Sequence, residues 1–265
     1  MTPLLRGSAF ITGAAKGIGQ ATAAAFARHG VSRLAIADID VHALKKTKEV
    51  IRAQYPDTKV LELHLDVRQS GQVREALAEV VLKFGRLDIA VNNAGVGGSG
   101  KMTHEMPDSE WTQIADVDLL GVWRCQKEEL DVMVDQEDLG IREGRGRIIN
   151  VSSMYGLKST GPHLPSTPYV ASKHGVIGLT RADANSYGHM NIRVNAVCPG
   201  YVKTPLLTNL EFPPDSYLGR DLERTALKRL GMIEEVTDAI VFLASPMSSY
   251  MQGAALVVDG GYSSQ

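Results

Sequence analysis

The chain has 265 residues, a hydrophobic fraction of 44% and a net charge of −2, and these values exclude several classes of protein. The length allows one large α/β domain or two small ones, and the hydrophobic fraction is normal for a globular protein with a substantial core. The small net charge gives no support to nucleic-acid binding. The two cysteines, Cys125 and Cys198, cannot form a disulfide framework or a metal cluster, so two free thiols are expected.

No apolar run approaches the roughly 18–20 residues that a membrane-spanning helix needs. The segment before the first predicted strand is too short to hold a signal peptide. We therefore expect a cytoplasmic protein with no membrane partner, no nucleic-acid partner and no bound metal.

Short apolar runs rich in β-branched residues alternate along the chain with longer segments of helical periodicity. Strands are predicted at 8–12, 34–37, 60–66, 89–92, 147–152, 193–199 and 255–258, and helices at 22–29, 41–54, 72–84, 111–133, 169–187 and 233–244. This alternation is typical of right-handed βαβ units and a parallel sheet. We predict an α/β fold in which residues 1–265 form a single domain, a Rossmann-type doubly wound parallel sheet of about seven strands with helices on both faces. Ligands of such sheets bind beyond the carboxyl ends of the strands.

Two segments interrupt this alternation. Residues 135–145 are charged and contain glycine, as expected of a solvated surface insertion. Residues 204–228 contain three prolines and follow a strand end, so they are placed to close over a ligand. We expect a substrate lid at about 204–228, with an irregular connection as the alternative.

A glycine-rich loop, TGAAKGIG at residues 12–19, follows the first predicted strand, and a helix rich in small residues comes next. Glycines at Gly13, Gly17 and Gly19 let the backbone turn sharply and let a pyrophosphate approach the helix N-terminus. This position between strand and helix predicts a dinucleotide site.

Polar residues or glycine stand at the ends of the next three predicted strands. Asp38 is at the distance expected of a carboxylate that accepts hydrogen bonds from an adenosine ribose. The alternative is a solvated acid, or a partner for Lys45 or Lys46. Asp66 and Val67 follow the third strand, and residues 92–95, NNAG, end the fourth. Together these strand ends predict one ligand-binding edge.

Ser152 and Ser153 end the fifth predicted strand, and Tyr169 and Lys173 lie four residues apart on one face of the following helix. A phenol ordinarily ionises near pH 10, which suits proton transfer near neutrality poorly. A neighbouring ammonium and a positively charged nicotinamide ring both stabilise the phenolate. The combination of serine, tyrosine and lysine therefore predicts acid/base chemistry at Tyr169.

With these motifs the chain resembles the short-chain dehydrogenase/reductase family over nearly its whole length. The resemblance implies that Tyr169 exchanges the proton, that Ser153 hydrogen-bonds the substrate oxygen, and that Lys173 binds a ribose and tunes the tyrosine. It also implies that Asp66 contacts adenine and that the segment from Asn195 to Gly200, with Thr204, lies beside the nicotinamide. The residues expected to bind the cofactor are Gly13, Lys16, Gly17, Ile18, Gly19, Asp38, Asp66, Val67, Asn93, Ala94, Gly95, Tyr169, Lys173, Pro199, Gly200, Val202 and Thr204.

The sequence departs from the family pattern at three places. Asp118 stands where most members carry a catalytic asparagine, and it is included among the candidate catalytic residues Ser153, Tyr169, Lys173 and Asp118. The connection from Ser153 to Tyr169 is longer than usual, so either Ser152 or Ser153 could face the substrate. Lys16 stands where NADP-preferring members often have a basic residue, which competes with the NAD preference indicated by Asp38.

The resemblance implies an NAD-dependent oxidoreductase, with NADP as an alternative cofactor, that interconverts a secondary alcohol and a ketone of medium size. The alternatives are a dehydratase or epimerase on the same scaffold, or a catalytically silent nucleotide-binding regulator. Family analogy implies a homotetramer, and the tract GVWRCQKEEL resembles fungal members of secondary metabolism. Tyr155 and His163 are expected near the substrate pocket, with purely structural roles as the alternative.

Overall fold

The computed structural model describes residues 3–161, 164–208, 213 and 216–264. Seven parallel strands form one sheet: β1 (Ser8–Thr12), β2 (Arg33–Asp38), β3 (Lys59–His64), β4 (Ile89–Asn92), β5 (Gly146–Val151), β6 (Ile192–Pro199) and β7 (Ala255–Val258). Their order is β3-β2-β1-β4-β5-β6-β7. Along the chain, β2 and β3 are added on one side of β1, and β4 to β7 are then added on its other side. This reversal leaves a crevice at the carboxyl ends of β1 and β4.

All seven predicted strands are confirmed, and their ends differ from the predicted ends by at most two residues. The agreement follows from burial: β1, β4, β5 and β6 are buried at every position, so each appears in the sequence as a mainly apolar run. The third strand ends at His64, so Asp66 lies two residues beyond it.

Helices connect the strands: α1 (Gly17–Arg28), α2 (Val41–Gln54), α3 (Ser70–Phe84), α4 (Asp108–Ala115), α5 (Val122–Val134), α6 (Thr167–Tyr187), α7 (Pro205–Thr208), α8 (Tyr217–Leu222) and α9 (Ile233–Ala244). The prediction missed the first turn of α1 because glycine has a low helix propensity. The single helix predicted at 111–133 begins earlier, and a π-helical turn, Asp116–Gly121, joins its parts α4 and α5.

The helices cover both faces of the sheet, as predicted. Ile11 of β1 packs in the cluster that contains residues of α1, α2 and α9, whereas its neighbour Phe10 packs in the cluster with residues of α3 and α5. Adjacent strand residues point to opposite faces, so each strand contributes to both cores. Within the part of the chain described, no helix has the length and apolar composition needed to cross a bilayer.

The predicted lid is described only in part. The short helices α7 and α8 lie within it, and residues 209–212, 214 and 215 are outside the described residues. The segment at 135–145 is largely exposed, in agreement with a surface insertion. Its Gln136 nevertheless donates to the carbonyl oxygens of Leu87 and Arg145 and so fastens the segment to the start of β4.

Candidate active site

The loop between β1 and α1 is a tight turn that requires glycine. Gly13 and Gly17 have φ angles of 66° and 62°, in the left-handed region. A Cβ on Gly13 would lie 2.8 Å from the Cα of Ala94, and one on Gly19 would lie 2.2 Å from the carbonyl oxygen of Gly13. Ile18, on the first turn of α1, packs partly against the core. Side chains are therefore excluded at Gly13 and Gly19, beside the start of α1, where the first N–H groups lack helical partners.

The end of β4 holds this turn in place. The Asn93 side chain donates to the carbonyl oxygens of Thr12 at 3.1 Å and Gly13 at 3.0 Å. The Thr12 hydroxyl in turn accepts from the backbone N–H groups of Asn93 and Ala94. The structure thus brings together Gly13, Asn93 and Ala94, three of the residues expected to bind the cofactor.

The Asp38 carboxylate also lies against the turn. It accepts from the backbone N–H of Ala15 at 3.0 Å and from that of Asp40 at 2.9 Å. Among the described residues, neither Lys45 nor Lys46 forms an ion pair with it. Lys16 is exposed at the start of α1. A carboxylate and an ammonium thus stand on the same part of the sheet edge.

Asp66 and Val67 are engaged within the protein. The Arg68 guanidinium lies 2.7 Å from Asp66 and, through its side-chain hydrogen bonds, lowers the pKa of that carboxyl below its ordinary value. Val67 is buried, and its methyl group would lie 2.7 Å from a Cβ on Gly121. The Val67 side chain therefore packs against the π-helical turn, and only its backbone is available to a ligand at the sheet edge.

The two serines after β5 have different surroundings. The Ser152 hydroxyl is buried and donates to the carbonyl oxygen of Lys173 at 3.0 Å. The Ser153 hydroxyl accepts from the backbone N–H of Tyr155 at 3.1 Å, and this bond leaves its hydrogen for another acceptor. Of the two, Ser153 has the hydroxyl suited to donating to a substrate oxygen.

Tyr169, Lys173 and Asp118 form one group beside these serines. The Lys173 ammonium lies 5.4 Å from the centroid of the Tyr169 ring, 3.3 Å from the Asp118 carboxylate and 3.2 Å from the carbonyl oxygen of Val151. The other oxygen of Asp118 accepts from the backbone N–H of Val96 at 2.8 Å. Asp118 is fully buried and Lys173 is only 4% exposed, so this is a buried ion pair.

The negative charge of Asp118 acts on Lys173 and not on the two other cations of the same helical segment. Burial lowers the pKa of Lys173, but the nearby charge of Asp118, with a smaller contribution from Tyr169, outweighs burial, and the net pKa is raised. On the same helical segment Arg124 pairs with Asp116 at 2.7 Å, and Lys127 pairs with Glu128. Asp118 therefore pairs with Lys173 and not with Arg124 or Lys127.

Gly95 lies over the buried ion pair. It is exposed, and a Cβ at this position would lie 3.4 Å from Asp118 Oδ2 and 3.5 Å from Lys173 Nζ. A ligand at the sheet edge can therefore approach both charges over Gly95.

The segment after β6 reaches across to the glycine turn. A Cβ on Gly17 would meet Pro205 Cδ at 3.6 Å and Thr204 Cβ at 3.8 Å. Pro199 is buried at the end of β6, and a Cβ on Gly200 would clash with the backbone of Asp259 at 2.7 Å. Val202 is buried and pairs with Gly231. The predicted nicotinamide segment thus faces the predicted pyrophosphate turn.

The comparisons with known proteins agree with this geometry. Residues 13–263 match a family model described as Enoyl-(Acyl carrier protein) reductase. The chain is 37% identical over 253 residues to a 3-oxoacyl-[acyl-carrier-protein] reductase of Thermotoga maritima, with 95% of each chain covered. It is 34% identical to a short-chain dehydrogenase, fogB, of Aspergillus ruber, with 97% of each chain covered. The chain belongs to the short-chain dehydrogenase/reductase family, whose members are NAD(P)-dependent oxidoreductases.

A solved structure of the family supports the fold. A variant of actinorhodin polyketide ketoreductase, with NADPH, superposes with a TM-score of 0.86 at 30% identity, and the match covers 98% of each chain. Bacterial and fungal relatives match at similar overall identity.

Some residues beside the site were not singled out by the sequence. Tyr201, Asp221 and Tyr262 join Tyr155 in one hydrogen-bonded cluster next to Ser153. They lie outside the motifs identified in the sequence and far apart in the chain, so the only signal was the closeness of Tyr155 to Ser153. His163 lies outside the described residues. Among the residues that the structure describes, no group of three or more His, Cys, Asp or Glu is placed to hold a metal ion.

Proposed function

We propose that this family member is an NAD(H)-dependent enzyme that interconverts a secondary alcohol and a ketone of medium size, with Tyr169 as the acid/base. The observation that carries the proposal is the group formed by Tyr169, Lys173, Asp118 and Ser153 at the carboxyl edge of the sheet, directly beside the glycine turn. Relatives named as 3-oxoacyl reductase and ketoreductase support reduction of a carbonyl.

In this proposal the proton comes from the protein. The Ser153 hydroxyl donates a hydrogen bond to the carbonyl oxygen, and the Tyr169 hydroxyl transfers its proton to the same oxygen during reduction. In oxidation the phenolate of Tyr169 takes the proton back. The buried Lys173 ammonium stabilises that phenolate, and Asp118 and the Val151 carbonyl oxygen fix the position of the ammonium.

The residues at the sheet edge fit a nicotinamide dinucleotide, which supplies or accepts the hydride when bound. The turn at Gly13 and Gly17 and the start of α1 suit a pyrophosphate, because the glycines carry no side chain and no side chain caps the N-terminus of α1. Asp38 suits the hydroxyls of the adenosine ribose. Its charge repels a 2′-phosphate, so NAD is proposed as the preferred cofactor, with Lys16 as the residue that opposes this preference.

Apolar residues support a mostly apolar substrate. Met154 and Leu164 belong to the connection between Ser153 and Tyr169, and Met154 is buried beside Tyr155. From the family resemblance we further propose a cytoplasmic homotetramer whose partner is this small molecule and neither nucleic acid nor membrane. Size-exclusion chromatography with light scattering checks the assembly.

The test follows the absorbance of reduced nicotinamide during incubation with cyclohexanone, 2-decalone and 2-tetralone, and during the reverse reaction with the corresponding alcohols. Nucleotide consumption in proportion to alcohol formed is the expected result. A dehydratase or epimerase would change the substrate with no net nucleotide turnover. A silent regulator would bind the nucleotide, as measured by calorimetry, and change none of these compounds.

A further inference from the structure

Three tyrosines from distant parts of the chain converge on one buried carboxylate beside Ser153. Asp221, on α8, is 5% exposed. It accepts from the hydroxyl groups of Tyr155 at 3.0 Å, Tyr201 at 2.7 Å and Tyr262 at 2.8 Å. The three tyrosines follow β5, β6 and β7 respectively, so one carboxylate joins three strand ends to the lid.

The rings form a compact unit around this carboxylate. Their centroids are 6.0 to 6.3 Å apart, with interplanar angles of 83° to 89°, the edge-to-face arrangement that aromatic rings prefer. Arg224 donates to Asp221 at 3.1 Å and lies 5.0 Å from the centroid of the Tyr262 ring. The buried carboxylate thus has both charge and hydrogen-bond partners.

The tyrosines of the cluster serve as neutral donors. Burial, followed by the proximity of Tyr201, raises the pKa of Tyr155 well above its ordinary value. Burial likewise raises the pKa of Tyr201. The two hydroxyls lie 2.7 Å apart and each carries one hydrogen, so one donates to Asp221 and the other donates either to Asp221 or to its neighbour. Neither acts as an acid.

The cluster is connected directly to the reacting groups. The backbone N–H of Tyr155 donates to the Ser153 hydroxyl, and Tyr169 packs against the buried group formed by Met154, Tyr155 and Tyr262. A Cβ on Gly161, in the long connection that precedes Tyr169, would lie 3.6 Å from Asp221 Oδ1. Asp221 thus lies on the lid, accepts hydrogen bonds from the cluster and is close to the long connection.

We propose that Asp221 is a positioning residue that determines substrate specificity by fixing α8 and the three tyrosine rings as one wall of the substrate pocket. Tyr155 and Tyr262 are buried, at 8% and 1% exposure, and form the back of this wall, so the half-buried Tyr201 is the ring that offers carbon atoms to the substrate. It suits the hydrocarbon part of a bulky ketone on the side away from the reacting carbonyl. This inference rests on the proposed carbonyl reduction. Two independent measurements distinguish a failure of the inference from a failure of the proposed reaction.

The first measurement needs no substrate. Hydrogen–deuterium exchange by mass spectrometry compares the wild type with Asp221→Asn, which keeps the size of the side chain and removes its charge. Peptides covering α8 and residues 154–161 should exchange about tenfold faster or more in the variant. Weaker hydrogen bonds to residue 221 let these segments open locally more often. Glu223→Gln is the matched control, since this nearby carboxylate is exposed and pairs only with Lys228 among the described residues.

The second measurement separates positioning from a general structural role. With 2-decalone, Asp221→Asn should raise KM about tenfold or more and leave kcat within about threefold, because binding away from the reacting carbon is lost. Cyclohexanone, which is too small to reach the wall, should show a smaller rise in KM. Nucleotide affinity should stay unchanged. If Asp221→Asn fails to fold, Tyr155→Phe, which removes one hydroxyl and keeps the ring, takes its place with the same direction of effect.

The outcomes are distinct. Unchanged exchange in α8 would overturn the anchoring role of Asp221. Faster exchange with an unchanged KM, or with equal losses for both ketones, would show a structural residue and overturn the specificity role. If the wild type turns over no ketone, the proposed carbonyl reduction fails, and exchange alone still decides whether Asp221 holds α8.

Discussion

The two halves of the sheet edge are built in different ways. In the nucleotide half, at the ends of β1, β2 and β4, the contacts are mostly to backbone atoms, such as those from Asp38 to Ala15 and from Asn93 to Thr12. In the substrate half, at the ends of β5 and β6, side chain meets side chain across long stretches of sequence, as Tyr155 and Asp221 do at a separation of 66 residues. Backbone contacts suit a constant ligand, whereas side-chain contacts can be altered by substitution to change the substrate.

The largest expected effect lies in the substrate half. Tyr169→Phe should reduce kcat at least about 100-fold, because general acid–base groups usually contribute that much. Nucleotide affinity should remain within a few-fold, since the nucleotide half is untouched. Steady-state kinetics with nucleotide titration provides the measurement, and Tyr250→Phe is the control because Tyr250 is fully exposed. A variant that keeps more than about a tenth of the wild-type kcat would show that Tyr169 is not the proton donor.

A buried polar network between the halves should make stability depend on pH. Glu129 accepts from Asn92, which also donates to Asn150, and burial raises the pKa of Glu129 to about 8. Its ordinary value is 4.5, so the folded state holds the proton more tightly than the unfolded state. The stability that this group contributes is therefore complete below the ordinary pKa and is lost as the pH rises through about 8.

Chemical unfolding at about pH 5.5 and about pH 8.5 measures this effect, which should amount to roughly 3 kcal/mol at about 1.4 kcal/mol per pH unit. Glu129→Gln should remove most of the difference. Glu128→Gln is the control, because the neighbouring Glu128 pairs with the exposed cations Lys127 and Arg74. An equal pH dependence in Glu129→Gln and the wild type would show that Glu129 is not the source.

The nucleotide half should select NAD. The ratio of kcat/KM for NAD to that for NADP should exceed about ten, because the Asp38 carboxylate repels a 2′-phosphate at close range. Asp38→Ser should reduce this ratio, and Lys16→Ala should increase it. A wild-type preference for NADP above tenfold would make Lys16 the dominant residue and refute the assignment of Asp38.

The contrast between the two halves of the sheet edge also explains which features the sequence can predict. The strands are predictable because both of their faces are buried. The glycine turn is predictable because its conformation depends on residues adjacent in the sequence. The orientation of Asp118 is not predictable in this way, since the π-helical turn changes the helical phase at that residue. The cluster around Asp221 depends on contacts between residues 20 to 66 positions apart, which no local pattern reveals.

The smallest expected effect concerns Asp118. Its carboxylate partly cancels the field of Lys173 that favours the phenolate, so Asp118→Asn should shift the pH profile of alcohol oxidation toward lower pH by about one unit or less. The pKa of Lys173, which Asp118 raises, should fall in the same variant. Asp116→Asn is the control, because that carboxylate lies on the same π-helical turn and pairs with Arg124. An unchanged profile would show that the charge of Asp118 is not coupled to Tyr169.

Direct transfer of the hydride is the central claim, and isotope transfer tests it most directly. The protein is incubated with NADH carrying deuterium at nicotinamide C4, prepared separately in each of the two configurations, together with 2-decalone, and the alcohol is analysed by mass spectrometry. One of the two cofactors should place a single deuterium on the carbinol carbon, and Tyr169→Phe should form at least about 100-fold less of this product. Alcohol without deuterium from either cofactor, or equal labelling by the Phe variant, would contradict the proposed reaction.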